Sequence, residues 1–277
     1  MTSLQIKKLS GFVGAEISNI HLTDLNDSTF VAIQNALFEH GVIFFREQFL
    51  TPEQHIAFAE RWGNIDVSRF FNSVAGYPQI AEVLTKPDQK IVIGGHWHTD
   101  QSFDPAPAMA SILSAQQLPE FGGDTLFASM GAAYDHLSDG LKATLENLNA
   151  WHSDASFGLA AQVLDEHFSA DGITKPTLHP VIIRHPVTGR KAIYVNDAFT
   201  THFEGWTVEE SQPLLQYLYQ YVVQPSFCCR FTWSPGTVAI WENRLVQHYA
   251  AADYQGHKRL MHRITVEGVS LSGDRGV

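Results

Sequence analysis

Trp97-His98-Thr99-Asp100 sets an imidazole and a carboxylate two residues apart, just after Gly94-Gly95. On extended backbone, residues i and i+2 project to the same side, so His98 and Asp100 can serve one common point. A third donor far along the chain would complete a two-histidine, one-carboxylate face, the set that holds non-heme Fe(II) with coordination positions left open. His248, at the end of Trp241-Glu242-Asn243-Arg244-Leu245-Val246-Gln247-His248, is the candidate. The chain has 14 histidines, so one His-x-Asp is weak evidence alone, and His257 and His262 compete for the third place. His96 has the strand parity of His98 but no carboxylate two residues on.

Arg259 and Arg263 follow closely. If a strand begins at residue 259, then Arg259, Met261 and Arg263 share one face and His262 takes the other. Two inward arginines are costly unless each meets an anion. The alternative is that one of them is a surface or inter-strand residue paired with Asp or Glu.

The elements that must position these groups are mostly short strands. Phe30, Ile33 and Leu37 recur at helical spacing, with Asp27 or Ser28 as N-cap and Gly41 as the stop; Val42–Phe45 then reads as a buried strand. Thr51-Pro52-Glu53-Gln54 is a capping box that opens a helix with the stripe Ile56, Ala59 and Trp62. Strands are expected at 80–84, 108–113 and 125–128, followed by two short helices between Met130 and Leu148. The segments 180–185 and 191–195 flank a hairpin turn, Thr207 opens a helix, and 227–233, 238–241 and 260–266 make a terminal antiparallel set. This pattern predicts a mainly β chain with helical cover, a double-stranded β-helix (jelly-roll) barrel in a single domain over 1–277. The metal residues would sit at strand ends near its mouth.

Composition narrows the partners. A formal net charge of −11, with no basic cluster, disfavours nucleic acid. There is no apolar h-region at the start and no run long enough for a membrane span. The two cysteines, Cys228 and Cys229, are adjacent and cannot build a disulfide framework. A cytoplasmic location is expected, and a homo-oligomer, dimer or tetramer.

Taken in order, Gly14-Ala-Glu-Ile17, Trp97-His98-Thr99-Asp100, Gly122-Gly123-Asp124-Thr125, His185-Pro-Val-Thr-Gly-Arg-Lys191, Tyr194-Val-Asn196 and His248 with Arg259 and Arg263 resemble the taurine dioxygenase and phenoxyacetate (aryloxyalkanoate) dioxygenase family of Fe(II)/2-oxoglutarate enzymes. The resemblance spans nearly the whole chain. It implies His98, Asp100 and His248 as iron ligands and as the catalytic centre. It implies that Arg259, with Thr125, binds the far carboxylate of 2-oxoglutarate, and that Arg263 meets the acidic group of the substrate. The implied reaction consumes O2, releases succinate and CO2, and hydroxylates a C–H bond. A carboxylate at Asp100 implies oxygenation, since related halogenases carry a small residue there.

The substrate is less determined. Phe70, Phe71, Ser156 and Phe157 fall in the segments that line the family's substrate pocket, although ordinary core packing would also explain Phe70-Phe71. The histidines and tyrosine of taurine enzymes are missing from Asp66–Asn72, and Gly94 stands near the place of a polar Asn, which puts taurine itself in doubt. A small anionic substrate is expected: an aryloxyalkanoate-like carboxylate, an alkylsulfonate or a sulfate ester. Taurine dioxygenase proper and natural-product tailoring remain alternatives. A zinc hydrolase would want a general base and has no use for two inward arginines; a metal-binding jelly-roll module without activity would not need Thr125 or Arg259.

Overall fold

The computed structural model describes residues 4–89, 92–155 and 175–273. The first half runs β1 (Gln5–Lys8), β2 (Ala15–Ser18), α1 (Asp27–His40), β3 (Val42–Phe45), α2 (Pro52–Glu60), β4 (Ile65–Asp66), β5 (Ser73–Val74), β6 (Tyr77–Thr85), β7 (Ala110–Gln117) and β8 (Thr125–Ser129). Then come α3 (Met130–Asp135), α4 (Asp139–Leu145), β9 (Asn149–His152), β10 (Thr177–Pro180), β11 (Ile182–Arg184), β12 (Lys191–Ile193) and β13 (Thr200–Phe203). The last part holds α5 (Val208–Val222), β14 (Cys228–Phe231), β15 (Val238–Glu242), β16 (Val246–Ala250) and β17 (Arg259–Val266).

Local chemistry sets the helix ends. The N-cap of α1 is Asn26, one residue earlier than Asp27 or Ser28: its carboxamide accepts from the Thr29 N–H at 2.9 Å. Asp27 thereby falls in the first turn, where its charge complements the helix dipole. Gly41 ends α1 at φ 72°, and a Cβ there would lie 2.5 Å from Val246 Cγ1, so glycine lets the turn approach the strand that carries His248. In α2 the Thr51–Gln54 capping box forms as expected. Ala59 and Trp62 lie in the core with Ile56 packed against it, as the stripe requires, and His55 and Phe58 are buried beside them. Trp62 lies beyond the last turn and packs edge-on against Phe30, with ring centroids 4.9 Å apart.

Among the described residues, the large sheet has the order β1-β2-β3-β15-β7-β17-β6-β5, with β4 also on β17, and a small sheet has the order β14-β8-β16. Strand parity divides the core between the two faces of the large sheet. Ile43, Phe45, Ile112, Ile240 and Ile264 pack toward Phe30, Ile33 and Leu37 of α1 and Phe58 of α2. Val42, Phe44, Leu113, Trp241 and Met261 pack toward Phe127, Phe231 and Val246 of the small sheet. Phe44 stacks on Phe231 at 3.7 Å between centroids. Burial of each such ring stabilises the fold by roughly 1.5–3 kcal/mol. A third cluster joins α3 and α5 to β11 and β12. The chain is thus mainly β, with helices outside. The strands do not close into a hydrogen-bonded ring among the described residues, since β1 and β5 end the large sheet and β14 and β16 end the small one. Among the described residues no helix is long and apolar enough to cross a membrane.

Two histidines of this framework couple folding to pH. Burial, helped by His262, depresses His55 to about 3, and burial depresses His179 to about 4. Both are neutral in the folded chain, while the unfolded chain takes up protons below about 6.5. Stability therefore falls as pH drops from about 6.5 toward those folded values. Each residue is expected to cost about 2 kcal/mol at pH 5 relative to pH 8, read as a lower denaturant midpoint. His55→Gln and His179→Gln should each flatten that profile, and an unchanged slope would refute their share.

Candidate functional site

His98 and His248 meet through the backbone. His98 N–H donates to the His248 carbonyl at 3.1 Å, and His248 N–H donates to that of His98 at 2.8 Å. This is an isolated antiparallel bridge on the open edge of β16. The segment 97–100 is therefore not a full strand: after the bridge at His98 the chain turns, with Gln101 at φ 55°. His98 and Asp100 still converge. Asp100 Oδ1 lies 3.6 Å from His98 Nε2 and 3.9 Å from His248 Nε2, and one donor atom from each of the three residues lies within 4.8 Å of the others. Among the described residues this is the one group of three or more His, Cys, Asp or Glu side chains placed to hold a metal. His96 points away, 79% exposed, and is rejected.

The protonation states suit metal binding. His98 Nδ1 lies 2.8 Å from the His96 carbonyl, which can only accept, so that nitrogen donates and Nε2 is the one turned to Asp100. Burial, reinforced by His98, holds His248 down at about 3 and hence neutral. Its ring lies against Trp241 and Phe127. Burial would raise Asp100, but the Arg263 guanidinium beside it outweighs burial and holds the carboxyl well below the usual range. Two imidazoles and one carboxylate form a donor set that fits a divalent transition metal such as Fe(II).

Strand β17 begins at Arg259, as the parity reading requires. Met261 faces the core between the sheets. His262, on the other face, lies near enough to His55 of α2 for the two to interact electrostatically. Arg259 and Arg263 thus look into the space between the sheets, about 13 Å apart at ~3.3 Å per residue. Arg259 is 5% exposed, and among the described residues its Nε has no hydrogen-bond partner and the side chain makes no ion pair. Its guanidinium lies 5.9 Å from the Trp233 ring centroid, and Trp233 Nε1 donates to Thr125 Oγ1 at 3.0 Å, so Thr125 and Arg259 meet around one indole. Gly123, at φ 70°, lets the backbone lie close to Arg259: a Cβ there would sit 3.2 Å from its Cδ and Nε. Arg263 does pair with an aspartate, and that aspartate is Asp100: Nη1 donates to Oδ1 at 3.3 Å. Its guanidinium also lies 4.9 Å from the centroid of Phe71.

Phe70, Phe103 and Phe199 form a separate buried cluster, with Phe71 packed against it. Phe199 presents its edge to His98 with centroids 6.0 Å apart, which places an apolar wall beside the trio. Ser156 and Phe157 lie outside the described residues. Sequence reasoning missed Phe103, Phe199 and Trp233, and also Ser111, whose hydroxyl donates to Asp100 Oδ2 at 2.6 Å. Glu242, Asn243 and Arg244 precede His248 in the run that carries it, with no role evident from the sequence. Arg244 makes a two-point contact with Glu242, at 2.7 and 2.6 Å, and His185 Nε2 lies 3.4 Å from the same carboxylate, all three deeply buried.

Residues 5–265 match the family described as taurine catabolism dioxygenase TauD, TfdA family. An alkylsulfatase from Acinetobacter baylyi is 37% identical over 99% of this chain and 88% of its own length. An (S)-phenoxypropionate/alpha-ketoglutarate dioxygenase from Sphingobium herbicidovorans is 31% identical over 96% of each chain. Among solved structures, a taurine dioxygenase from Burkholderia xenovorans superimposes with a TM-score of 0.85 at 33% identity, over 99% of this chain and 93% of that one. AAD-2, in complex with Mn(II) and N-oxalylglycine, gives 0.82 at 28% identity over 98% of this chain and 99% of that one. With the match running almost end to end, this chain belongs to the TauD/TfdA dioxygenase family.

Proposed function

We propose that the chain, acting as one domain of double-stranded β-helix type over residues 1–277, is an Fe(II)- and 2-oxoglutarate-dependent dioxygenase that hydroxylates a small organic anion with an apolar body. The observation that carries this reading is the trio His98, Asp100 and His248 set beside two inward arginines. The three side chains would hold Fe(II). Bound together, Fe(II) and 2-oxoglutarate supply oxidative decarboxylation by O2, giving succinate and CO2 and the capacity to hydroxylate a C–H bond.

The protein's share is to bind, orient and exclude water. Arg259 offers a planar fork in a desolvated place, where a carboxylate contact is strong, and Thr125 adds a hydroxyl near the same indole. Arg263, four residues further along β17 with its guanidinium beside Asp100 and Phe71, is assigned to the substrate's acidic group. Phe70, Phe71, Phe103 and Phe199 then receive the apolar body, with Ser156 and Phe157 proposed to complete the pocket. Taurine would bring an ammonium group into this aromatic wall, where the four phenylalanines offer no anion to meet it. Two relatives fit an apolar anion: the (S)-phenoxypropionate dioxygenase already described, and an alpha-ketoglutarate-dependent sulfate ester dioxygenase of Pseudomonas putida that is 34% identical over 96% of this chain.

The test separates the arginines. Arg259→Ala is expected to raise the 2-oxoglutarate requirement roughly ten- to hundredfold, the loss of one charge-assisted contact. Arg263→Ala should spare 2-oxoglutarate consumption without substrate and lose its coupling to aryloxy acids, sulfonates or sulfate esters. Succinate release across those classes is the measurement. An equal rise in the 2-oxoglutarate requirement for both variants would overturn the split.

A further inference from the structure

We propose that Ser111 and Asn243 are positioning residues that lock the Asp100 carboxylate so that one oxygen, Oδ1, faces His98 and His248. The inference rests on the metal reading above and adds to it which oxygen binds and what holds it. Ser111 Oγ donates its single proton to Asp100 Oδ2 at 2.6 Å. Its lone pairs accept from Asn243 Nδ2 at 3.3 Å. The amide of Asn243 cannot be turned over, because its Oδ1 accepts from Trp241 Nε1 at 3.0 Å and from the Asp100 backbone N–H at 3.3 Å. The Asn243 backbone is tied as well: its N–H donates to the Met109 carbonyl at 2.8 Å, and its own carbonyl accepts from Thr99 Oγ1.

Both side chains are fully buried. Neither sits on a free loop: Ser111 is in β7 directly across from Trp241 of β15, and Asn243 follows the end of β15. Sheet register therefore fixes the lock. With Oδ2 held by Ser111 and Oδ1 by Arg263 Nη1 at 3.3 Å, rotation of the carboxylate is restrained, and Oδ1 faces Nε2 of the two histidines. Hydrogen bonds of this kind to a ligating carboxylate orient it and tune its affinity for metal.

The experiment titrates Mn(II) into the metal-free full chain, read by electron paramagnetic resonance, alongside the thermal midpoint of the same metal-free protein. Ser111→Ala is expected to bind Mn(II) roughly ten- to hundredfold more weakly while melting within a few degrees of the parent. Ser111→Cys, similar in size and a poorer donor, should fall between the two and serves if the alanine variant does not fold. Thr144→Ala, in α4 and outside both the lock and the proposed pocket, should bind Mn(II) like the parent. Mn(II) affinity within twofold of the parent in both Ser111 variants overturns the lock. So does a loss of affinity matched by an equal loss of metal-free stability, which would make Ser111 a packing residue. A parent chain that binds no Mn(II) overturns the proposed function instead.

Discussion

Asp100→Ala is expected to remove metal binding and succinate production together, a loss of at least about a hundredfold in Mn(II) affinity. The substitution takes away the one charged donor of the trio, and outer hydrogen bonds alone are worth ten- to hundredfold at such sites. It also leaves the Ser111 hydroxyl without its acceptor and Arg263 Nη1 without its carboxylate. Asp100→Asn separates these effects, because it keeps the shape and an acceptor oxygen while losing the charge. His248→Ala should give the same loss of binding, with added instability from the gap beside Trp241 and Phe127. Retained Mn(II) affinity in Asp100→Ala would sink the ligand assignment outright.

Arg244→Ala is expected to cost about 3–5 kcal/mol, because it strands Glu242 as a buried carboxylate with His185 as its remaining ionisable neighbour. For a chain of this size that is a fall of roughly 6–20 °C in the thermal midpoint. The pair also shapes the turn that leads to His248: the Arg244 N–H donates to Glu242 Oε1 at 3.0 Å, and the Leu245 N–H donates to the Glu242 carbonyl at 3.0 Å. A double-mutant cycle distinguishes a stranded charge from lost volume. Replacing both residues with methionine should recover much of the loss, since a well-packed apolar pair is often as stable as a buried ion pair. A single-variant cost below about 1 kcal/mol would show that water reaches Glu242.

What the sequence revealed depended on whether the determining interaction was local. The capping box at Thr51, the short strand Val42–Phe45 and the alternation of Arg259, Met261 and Arg263 are set by neighbours within a few residues, and all are legible. The His-x-Asp pair was legible for the same reason, although its backbone proved to be a bridge and a turn. By contrast, β16 reads as no obvious strand, because Val246–Ala250 takes its form from pairing with β8. Ser111 is one serine inside a strand, and only the register of β7 on β15 brings it beside Asp100. Phe103 and Phe199 come together across the chain, with no shared local pattern to announce them.

The reciprocal backbone bonds between His98 and His248 join points separated by more than half the sequence. A contact of such span closes a long loop, and its entropy cost must be offset by the packing of the chain between. The three donors therefore come together only once these two distant segments have docked, and a chain in which they are apart has no complete trio to offer a metal. Capture of an ion would therefore report that these segments have docked, and by mass action the ion would stabilise the docked state over the undocked one.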